Sequence, residues 1–117
     1  MLFVCYPKCT TCQKAKKWLD DRGIEYEIRD IKTDNPNEKE LRAWHKKSGL
    51  PLRRFLNVNG KQYREQNLKE RFQCMSEKEQ FALLASDGML VKRPIIIGDT
   101  FVSTGFKQPE WEHIFGK

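Results

Sequence analysis

Leu2-Phe3-Val4-Cys5-Tyr6-Pro7-Lys8-Cys9-Thr10-Thr11-Cys12 is the stretch from which the rest of the fold can be worked out. Its first residues are apolar and typical of a β-strand. Pro7 ends that strand because proline has no N–H to donate to a ladder. After this turn, apolar residues recur at helical spacing, namely Ala15, Trp18 and Leu19. The pattern therefore predicts a strand, a tight turn and a helix, with Cys9 at the N-cap and Cys12 one turn later on the same face.

These positions predict different chemistry for the two cysteines. The first turn of a helix carries unpaired N–H groups and the positive end of the helix dipole. A thiolate is stabilised there, so we expect the pKa of Cys9 to lie below the free value of about 8.5. Lys8 adds a nearby cation, and Cys12 should be less exposed and less acidic. We therefore expect Cys9 to attack as a thiolate and Cys12 to resolve the mixed disulfide.

Two plainer interpretations of the cysteine pair stay open. C-x-x-C is also a zinc-ligand spacing, but a zinc site needs two further ligands. No second C-x-x-C or H-x-x-x-H is present, and the remaining candidates are scattered singly: Cys5, Cys74, His45 and His113. The pair could also be two inert cysteines in a helix, which the strand–proline–cysteine–helix context disfavours. We expect no metal and no bound cofactor, and we expect both histidines to be surface or packing residues.

The whole chain sets wider limits. Its 117 residues predict a single domain, 1–117. No apolar run approaches the ~20 residues of a membrane span, and the N-terminus lacks a signal-like pattern, so we expect a cytoplasmic protein and no membrane partner. The net charge of +6 suits anionic substrates or acidic partners. No nucleic-acid-binding motif is present, so direct nucleic-acid binding is not expected.

The next elements complete a parallel strand pair. The first helix should run from Thr10 to Arg22, with Gly23 as the residue that ends it. Apolar and polar residues then alternate from Ile24 to Ile28, which predicts a second strand. A strand, a helix and a strand within about 30 residues form a βαβ unit with parallel strands.

The middle of the chain is predicted to be helical. Asn35 is the expected N-cap of a helix that begins at Pro36 and ends near 48–49. A short helical piece at 51–56, a turn at 57–60 and a helix over 63–72 follow. Ser76 to Glu79 forms a capping box for a helix that ends at Gly88. Cys74, in the connector before it, is expected to be a partly buried structural thiol.

The last third predicts a hairpin and a final helix. Three isoleucines end the run from Met89 to Ile97 and indicate a strand buried on both faces. Gly98-Asp99 fits a two-residue turn, and Thr100 to Ser103 is the returning antiparallel strand. Pro109 opens the last helix. The order is therefore α/β: a four-stranded mixed sheet of thioredoxin-like fold, with a helical insert at approximately 36–90.

The sequence resembles the family that contains glutaredoxin-coupled arsenate reductases (ArsC) and the redox regulator Spx. The specific marks are Tyr6 to Cys12 and Lys92-Arg93-Pro94-Ile95-Ile96-Ile97. The resemblance implies that Cys9 is the nucleophile and that Arg93 lies beside it to hold oxyanions or to stabilise the thiolate. It implies that Pro94 is cis and packs near the active-site cysteines, with Lys8 and Thr11 as supporting residues.

The chain also departs from the reductases it resembles. They place three arginines around the cysteine, whereas one of those positions is Asn57 here and another falls at 104–106, which holds no arginine. Arg53 or Arg54 could fold back to substitute. The reductases draw on glutathione and glutaredoxin, whereas Cys12 supplies an internal partner here, as in Spx.

Three functional hypotheses follow from the residues and the resemblance. The leading one is a thiol–disulfide oxidoreductase or redox sensor that is restored by a cellular thiol, either glutathione with glutaredoxin or thioredoxin. The second is reduction of arsenate or another oxyanion. The third is a Spx-like regulator that binds the α-subunit of RNA polymerase, although the docking surface of Spx is matched only by a glycine near Gly49. We expect a monomer.

Overall fold

The computed structural model describes residues 1–116 of the chain. The strands are β1 (Leu2–Cys5), β2 (Glu27–Asp30), β3 (Ile95–Ile97) and β4 (Val102–Thr104). The α-helices are α1 (Thr10–Asp21), α2 (Glu38–Ser48), α3 (Lys61–Glu65), α4 (Leu68–Cys74), α5 (Glu77–Ser86) and α6 (Gln108–Phe115). Two 3₁₀-helices lie at Leu52–Phe55 and Gly88–Leu90. No helix within 1–116 has the length and apolar character needed to span a bilayer.

The four strands form one mixed sheet in the order β2-β1-β3-β4. β1 pairs with β2 in parallel, and β3 pairs in antiparallel fashion with both β1 and β4. This topology confirms the predicted α/β, thioredoxin-like arrangement. The helices α2 to α5 all lie between β2 and β3 in the chain.

The alternation of side chains along β1 divides the core between the two faces of the sheet. Phe3 and Cys5 pack with α1 and α6, where the fully buried Trp111 lies. Val4 points to the opposite face and packs with residues of the helices between β2 and β3. Ile95 and Ile96 continue the two layers in β3 and are both fully buried. The prediction that this strand is buried on both faces is therefore confirmed.

Helix α1 is positioned as the sequence predicts, to within one residue. Cys9 is its N-cap, with an extended backbone (φ −82°, ψ 122°). The helix ends at Asp21, and Gly23 then adopts a positive φ of 64°. The N–H of Gly23 donates to Asp20 and that of Ile24 donates to Leu19, which is the closing pattern of a helix terminus.

This helix terminus explains why the predicted second strand is displaced. The prediction began the strand at Ile24, but the Ile24 N–H bonds to the Leu19 carbonyl of α1, and β2 begins at Glu27. β2 is an edge strand that pairs only with β1. Ile28 points to solvent and is 56% exposed. The alternation of apolar and polar residues therefore predicted a strand but not which of its faces is buried.

The predicted N-cap of α2 is wrong by two residues. Asn37, not Asn35, caps the helix, in a reciprocal capping box with Glu40. Asn35 instead donates its side-chain amide to the carbonyl of Ala85 at 2.7 Å. Arg29 donates to the carbonyls of Asp34 and Asn35, which holds this segment outside the helix.

The predicted helix over 63–72 is two short helices. Asn67 has a left-handed backbone (φ 53°), and it separates α3 from α4. Cys74 is the last residue of α4 and is exposed, so the prediction of a partly buried thiol in a connector is wrong. The predicted capping box of Ser76 with Glu79 is present, but α5 ends at Ser86, two residues before the predicted Gly88.

Both strands of the predicted hairpin are shorter in the structure than the sequence predicts. Only Ile95–Ile97 of the run that begins at Met89 is strand, because a 3₁₀-helix occupies 88–90. The connection covers 98–101 and is closed by a hydrogen bond from the Gly98 N–H to the Phe101 carbonyl. A side chain at Gly98 would collide with the Phe101 ring. β4 therefore begins at Val102, not at Thr100.

We predict that Asn37→Ala lowers the free energy of unfolding by about 1 kcal/mol, because it removes the side-chain acceptor for the Glu40 N–H at the start of α2. Urea denaturation followed by circular dichroism measures the change. Thr33→Ala, at a nearby exposed position, is the control and should stay within about 0.5 kcal/mol of the parent. Equal stability of Asn37→Ala and the parent would contradict the assigned cap.

Candidate functional site

The turn between β1 and α1 holds Cys9 in place through its backbone. The Cys9 N–H donates to the Tyr6 carbonyl at 2.9 Å, and the Cys9 carbonyl accepts from the Gln13 N–H at 3.0 Å. The Gln13 side chain donates to the Pro7 carbonyl at 2.9 Å. The turn is therefore closed on both sides, and Cys9 is left partly exposed at the N-terminus of the helix.

The surroundings of Cys9 favour its thiolate. Burial of the thiol by itself raises its pKa. The N–H groups of Cys12 and Thr11, the Cys12 thiol and the positive charge of Arg93 all favour the thiolate and outweigh this effect. The net result is a pKa of Cys9 below its ordinary value, as the sequence predicts.

Cys12 has the opposite character. It is only 2% exposed, and its Sγ accepts from the Tyr6 N–H at 3.4 Å. Burial raises the pKa of Cys12 to about 12, and the neighbouring Cys9 thiolate raises it further. Cys9 and Cys12 are thus one thiol of lowered and one of raised pKa, three residues apart at the start of the same helix.

The other two cysteines differ from this pair. Cys5, at the end of β1, is 3% exposed, and burial together with the charge of Asp30 raises its pKa to about 11. Its sulfur is near enough to Cys9 for the two charges to interact. Cys74 is exposed on α4, which contributes no residue to the cavity beside Cys9.

Arg93 lies beside Cys9, as the resemblance implies. Its guanidinium donates to the Met89 carbonyl at 3.2 Å and lies over the Tyr6 ring at 5.5 Å from the centroid. The Arg93–Pro94 peptide bond is cis. The Pro94 carbonyl accepts from the Gly105 N–H at 2.8 Å, which joins this loop to the segment after β4. Lys8, by contrast, is exposed.

Cys9 opens onto a cavity of about 450 Å³. Thr11, Asn57 and residues 104–106 line it together with Arg93. Asn57 is 8% exposed and is held by two hydrogen bonds, from its amide to the Met89 carbonyl and from the Asn59 N–H to its side-chain oxygen. Asn57 stands at a position where the arsenate reductases that the sequence resembles carry an arginine. This position therefore contributes no positive charge to the cavity.

Three further cations line the same cavity: Arg54, Lys92 and Lys107. The Thr104 hydroxyl donates to the Arg54 carbonyl at 3.0 Å, which ties the 3₁₀-helix to β4. Arg53 and Arg54 were the two candidates to substitute for the missing arginines, and Arg54 lines the cavity. Lys107 was not singled out from the sequence, although it directly follows the positions 104–106 at which an arginine was sought.

The histidines and the acidic residues do not gather at this site. The His45 ring packs against Phe55 and Phe81, with centroids 6.0 and 5.7 Å apart. His113 is exposed on α6. Among residues 1–116, no group of three or more His, Cys, Asp or Glu side chains is arranged to hold a metal ion.

Comparisons with known proteins place this geometry in one family. A family model described as the ArsC family matches residues 5–114. The protein YusI of Bacillus subtilis is 50% identical over 112 residues, which cover 96% of this chain and 95% of YusI. The global transcriptional regulator Spx of Staphylococcus epidermidis is 25% identical over 104 residues, which cover 89% of this chain and 78% of Spx.

Two solved structures share both the fold and much of the sequence. An ArsC family related protein from Bacteroides fragilis is 51% identical, with a TM-score of 0.93 and coverage of 97% of this chain and 95% of that one. A protein described as a possible arsenate reductase from Streptococcus mutans is 38% identical, with a TM-score of 0.85 and coverage of 95% and 96%.

We predict that iodoacetamide at pH 7 alkylates Cys9 of the folded protein much faster than Cys12 or Cys5, since the pKa of Cys9 is lowered whereas those of Cys12 and Cys5 are raised. Arg93→Met removes a positive charge that lowers the pKa of Cys9. The pKa therefore rises, the thiolate fraction at pH 7 falls, and alkylation slows roughly twofold to fivefold.

The rate constant is measured from pH 5 to 10 by mass spectrometry of the Cys9 peptide. Lys46→Met removes the same charge from an exposed position on α2 and should leave the profile unchanged. Coincident profiles for Arg93→Met and Lys46→Met would show that Arg93 does not act on Cys9.

Proposed function

This chain belongs to the ArsC family, and we propose that it is a thiol–disulfide oxidoreductase in which Cys9 attacks and Cys12 resolves. The observation that carries the proposal is the contrast between the two thiols. Cys9 has a lowered pKa and is partly exposed on a cationic cavity, and Cys12 is buried beside it with a raised pKa. This pairing supplies an attacking thiolate and a second thiol beside it.

The first step is attack on a substrate disulfide. The Cys9 thiolate forms a bond to one sulfur of the substrate, and the bond between the two substrate sulfurs breaks. One half of the substrate remains on Cys9 as a mixed disulfide, and the other half leaves as a thiolate. The cations of the cavity, Arg93 above all, stabilise the negative charge as it moves from Cys9 to the leaving sulfur.

The second step uses Cys12. Once Cys9 is a neutral disulfide, the negative charge that helps to raise the pKa of Cys12 is gone. The Cys12 proton passes to the departing thiolate, and Cys12 attacks the Cys9 sulfur. The products are a Cys9–Cys12 disulfide and the second substrate thiol, so two electrons have moved from the protein to the substrate. Two equivalents of a cellular thiol such as glutathione, or one dithiol protein, restore the two cysteines.

Reduction of an oxyanion is the second candidate function. Four cations line the cavity with Cys9, and they are the observation that favours it: Arg54, Lys92, Arg93 and Lys107. Tight binding of a doubly charged oxyanion needs charge-assisted and preferably bidentate donors. Only two of the four are arginines, and Asn57 is already engaged with the Met89 carbonyl. We therefore rank this function second, and a transcription-regulatory role through RNA polymerase third.

We predict that Cys9→Ser abolishes reduction of bis(2-hydroxyethyl) disulfide, since no attacking thiolate remains. Cys12→Ser still undergoes the first step and accumulates a mixed disulfide at Cys9, which mass spectrometry detects on the Cys9 peptide. Cys74→Ser removes an exposed thiol of another helix and is the control that should retain full turnover. Retained turnover in Cys9→Ser, or no trapped adduct in Cys12→Ser, would contradict the proposal.

We predict little or no arsenate-dependent consumption of reductant in the presence of glutathione and glutaredoxin. Asn57→Arg adds a charged donor to the cavity and should increase any such activity. Asn57→Gln is the matched uncharged control. Rapid arsenate turnover by the unmodified protein, at a rate above that with the disulfide, would reverse the ranking of the two functions.

A further inference from the structure

A second cavity adjoins the one that contains Cys9. It has a volume of about 400 Å³, and the two cavities share Arg54 and Lys92 as lining residues. Its floor is apolar: Leu56, Leu68 and Phe72 lie there at 4% exposure or less. We call the cavity at Cys9 the first lobe, which is polar, and the cavity lined by α4 the second lobe, which is apolar. The two shared cations, Arg54 and Lys92, lie where the lobes meet.

The rims of both lobes carry only positive charge. Six cations line them: Arg53, Arg54, Lys69, Lys92, Arg93 and Lys107. No aspartate or glutamate within residues 1–116 lines either lobe. None of the six forms an ion pair with another residue of this part of the chain. An occupant with several negative charges therefore complements the whole surface.

An exposed apolar side chain marks the second lobe as a contact surface. Val58 is 45% exposed and lies at its edge, and Tyr63 completes the wall as a half-buried aromatic ring. A large apolar group placed there removes this surface from water. The occupant must therefore combine negative charge with at least one large apolar group.

We propose that the two lobes form one groove that binds an acidic, cysteine-containing segment of a partner protein, the disulfide of which is reduced by Cys9. This inference rests on the proposed function and names its substrate class. The partner's disulfide lies in the first lobe, a large apolar side chain next to it fills the second, and flanking carboxylates pair with the six cations. Clusters of arginine and lysine recognise acidic segments in this way.

The two-lobed shape favours a polypeptide over a small anion. An inorganic oxyanion fills only the lobe at Cys9 and leaves the apolar lobe empty. Glutathione carries two carboxylates but no large apolar side chain. An extended chain presents side chains of different character at a spacing of about 3.3 Å per residue, so neighbouring residues reach both lobes at once.

Binding is tested without any redox step. The probes are rhodamine-labelled hexapeptides in which serine replaces the cysteine: the acidic DEFSED, the same peptide with glycine in place of phenylalanine, and the basic KRFSKR. Fluorescence polarisation of each probe with the full protein measures affinity. We expect DEFSED to bind tightest, the glycine peptide to bind several-fold more weakly, and KRFSKR not to bind.

The groove is tested further with variants of matched charge. Arg53→Glu with Lys69→Glu reverses two exposed rim cations that lie outside the cavity of Cys9. This double variant should weaken the binding of DEFSED by about tenfold or more, the loss expected when a charge-assisted hydrogen bond is removed. Lys39→Glu with Lys46→Glu changes the net charge equally on exposed positions of α2 and should leave the affinity unchanged. Equal losses in both double variants would show a general charge effect and would overturn the groove.

Reduction of a matching disulfide separates this inference from the proposed function. The substrate is DEFCED joined through its cysteine to 2-mercaptoethanol, compared with bis(2-hydroxyethyl) disulfide, which has no charge or apolar side chain. Faster reduction of the peptide, with that advantage lost in Arg53→Glu/Lys69→Glu, supports both. Equal rates with no specific binding of DEFSED overturn the groove alone. Specific binding without reduction of either disulfide overturns the proposed function but keeps the groove.

Discussion

The site depends on the first turn of α1, whose N–H groups favour the Cys9 thiolate. Together with the Cys12 thiol and Arg93, these groups outweigh the burial that raises the pKa of Cys9, and they act on its sulfur because the turn after β1 places Cys9 at the N-cap. The same turn buries Cys12 behind Cys9 and points the Tyr6 N–H at its sulfur. One backbone arrangement therefore makes one cysteine acidic and keeps its neighbour protonated.

The sheet brings distant parts of the chain to this turn. β3 lies beside β1, so the loop that precedes it carries Arg93 to Cys9 although 84 residues separate them in sequence. A hydrogen bond from the Gly105 N–H to the Pro94 carbonyl holds the segment after β4 against this loop, so that both segments line the cavity. The 3₁₀-helix at 52–55 adds Arg54, held by Thr104. The cationic surface is thus assembled from three separate segments.

The family resemblance placed Arg93 beside Cys9, where it lies. Local signals in the sequence predicted the four strands of the sheet and α1 with Cys9 at its N-cap. They failed where a distant residue decides the structure. Arg29 and Ala85 engage the segment around Asn35, which moves the cap of α2 to Asn37. Arg54 and Lys107 lie beside Cys9 because three separate segments pack together. The spacing of residues along the chain does not predict this packing. The likeness to Spx and to the structure described as a possible arsenate reductase does not choose between the functions.

A redox titration of the purified protein shows whether Cys12 resolves a mixed disulfide on Cys9. The protein is equilibrated at defined ratios of reduced and oxidised glutathione, denatured in acid, alkylated and analysed by mass spectrometry for all four cysteines. We predict that Cys9 and Cys12 are lost to alkylation together, in a single two-electron transition that forms a disulfide between them, while Cys5 and Cys74 remain alkylated. A transition in which Cys9 gains only glutathione and Cys12 stays free would contradict it, because Cys12 would then resolve nothing.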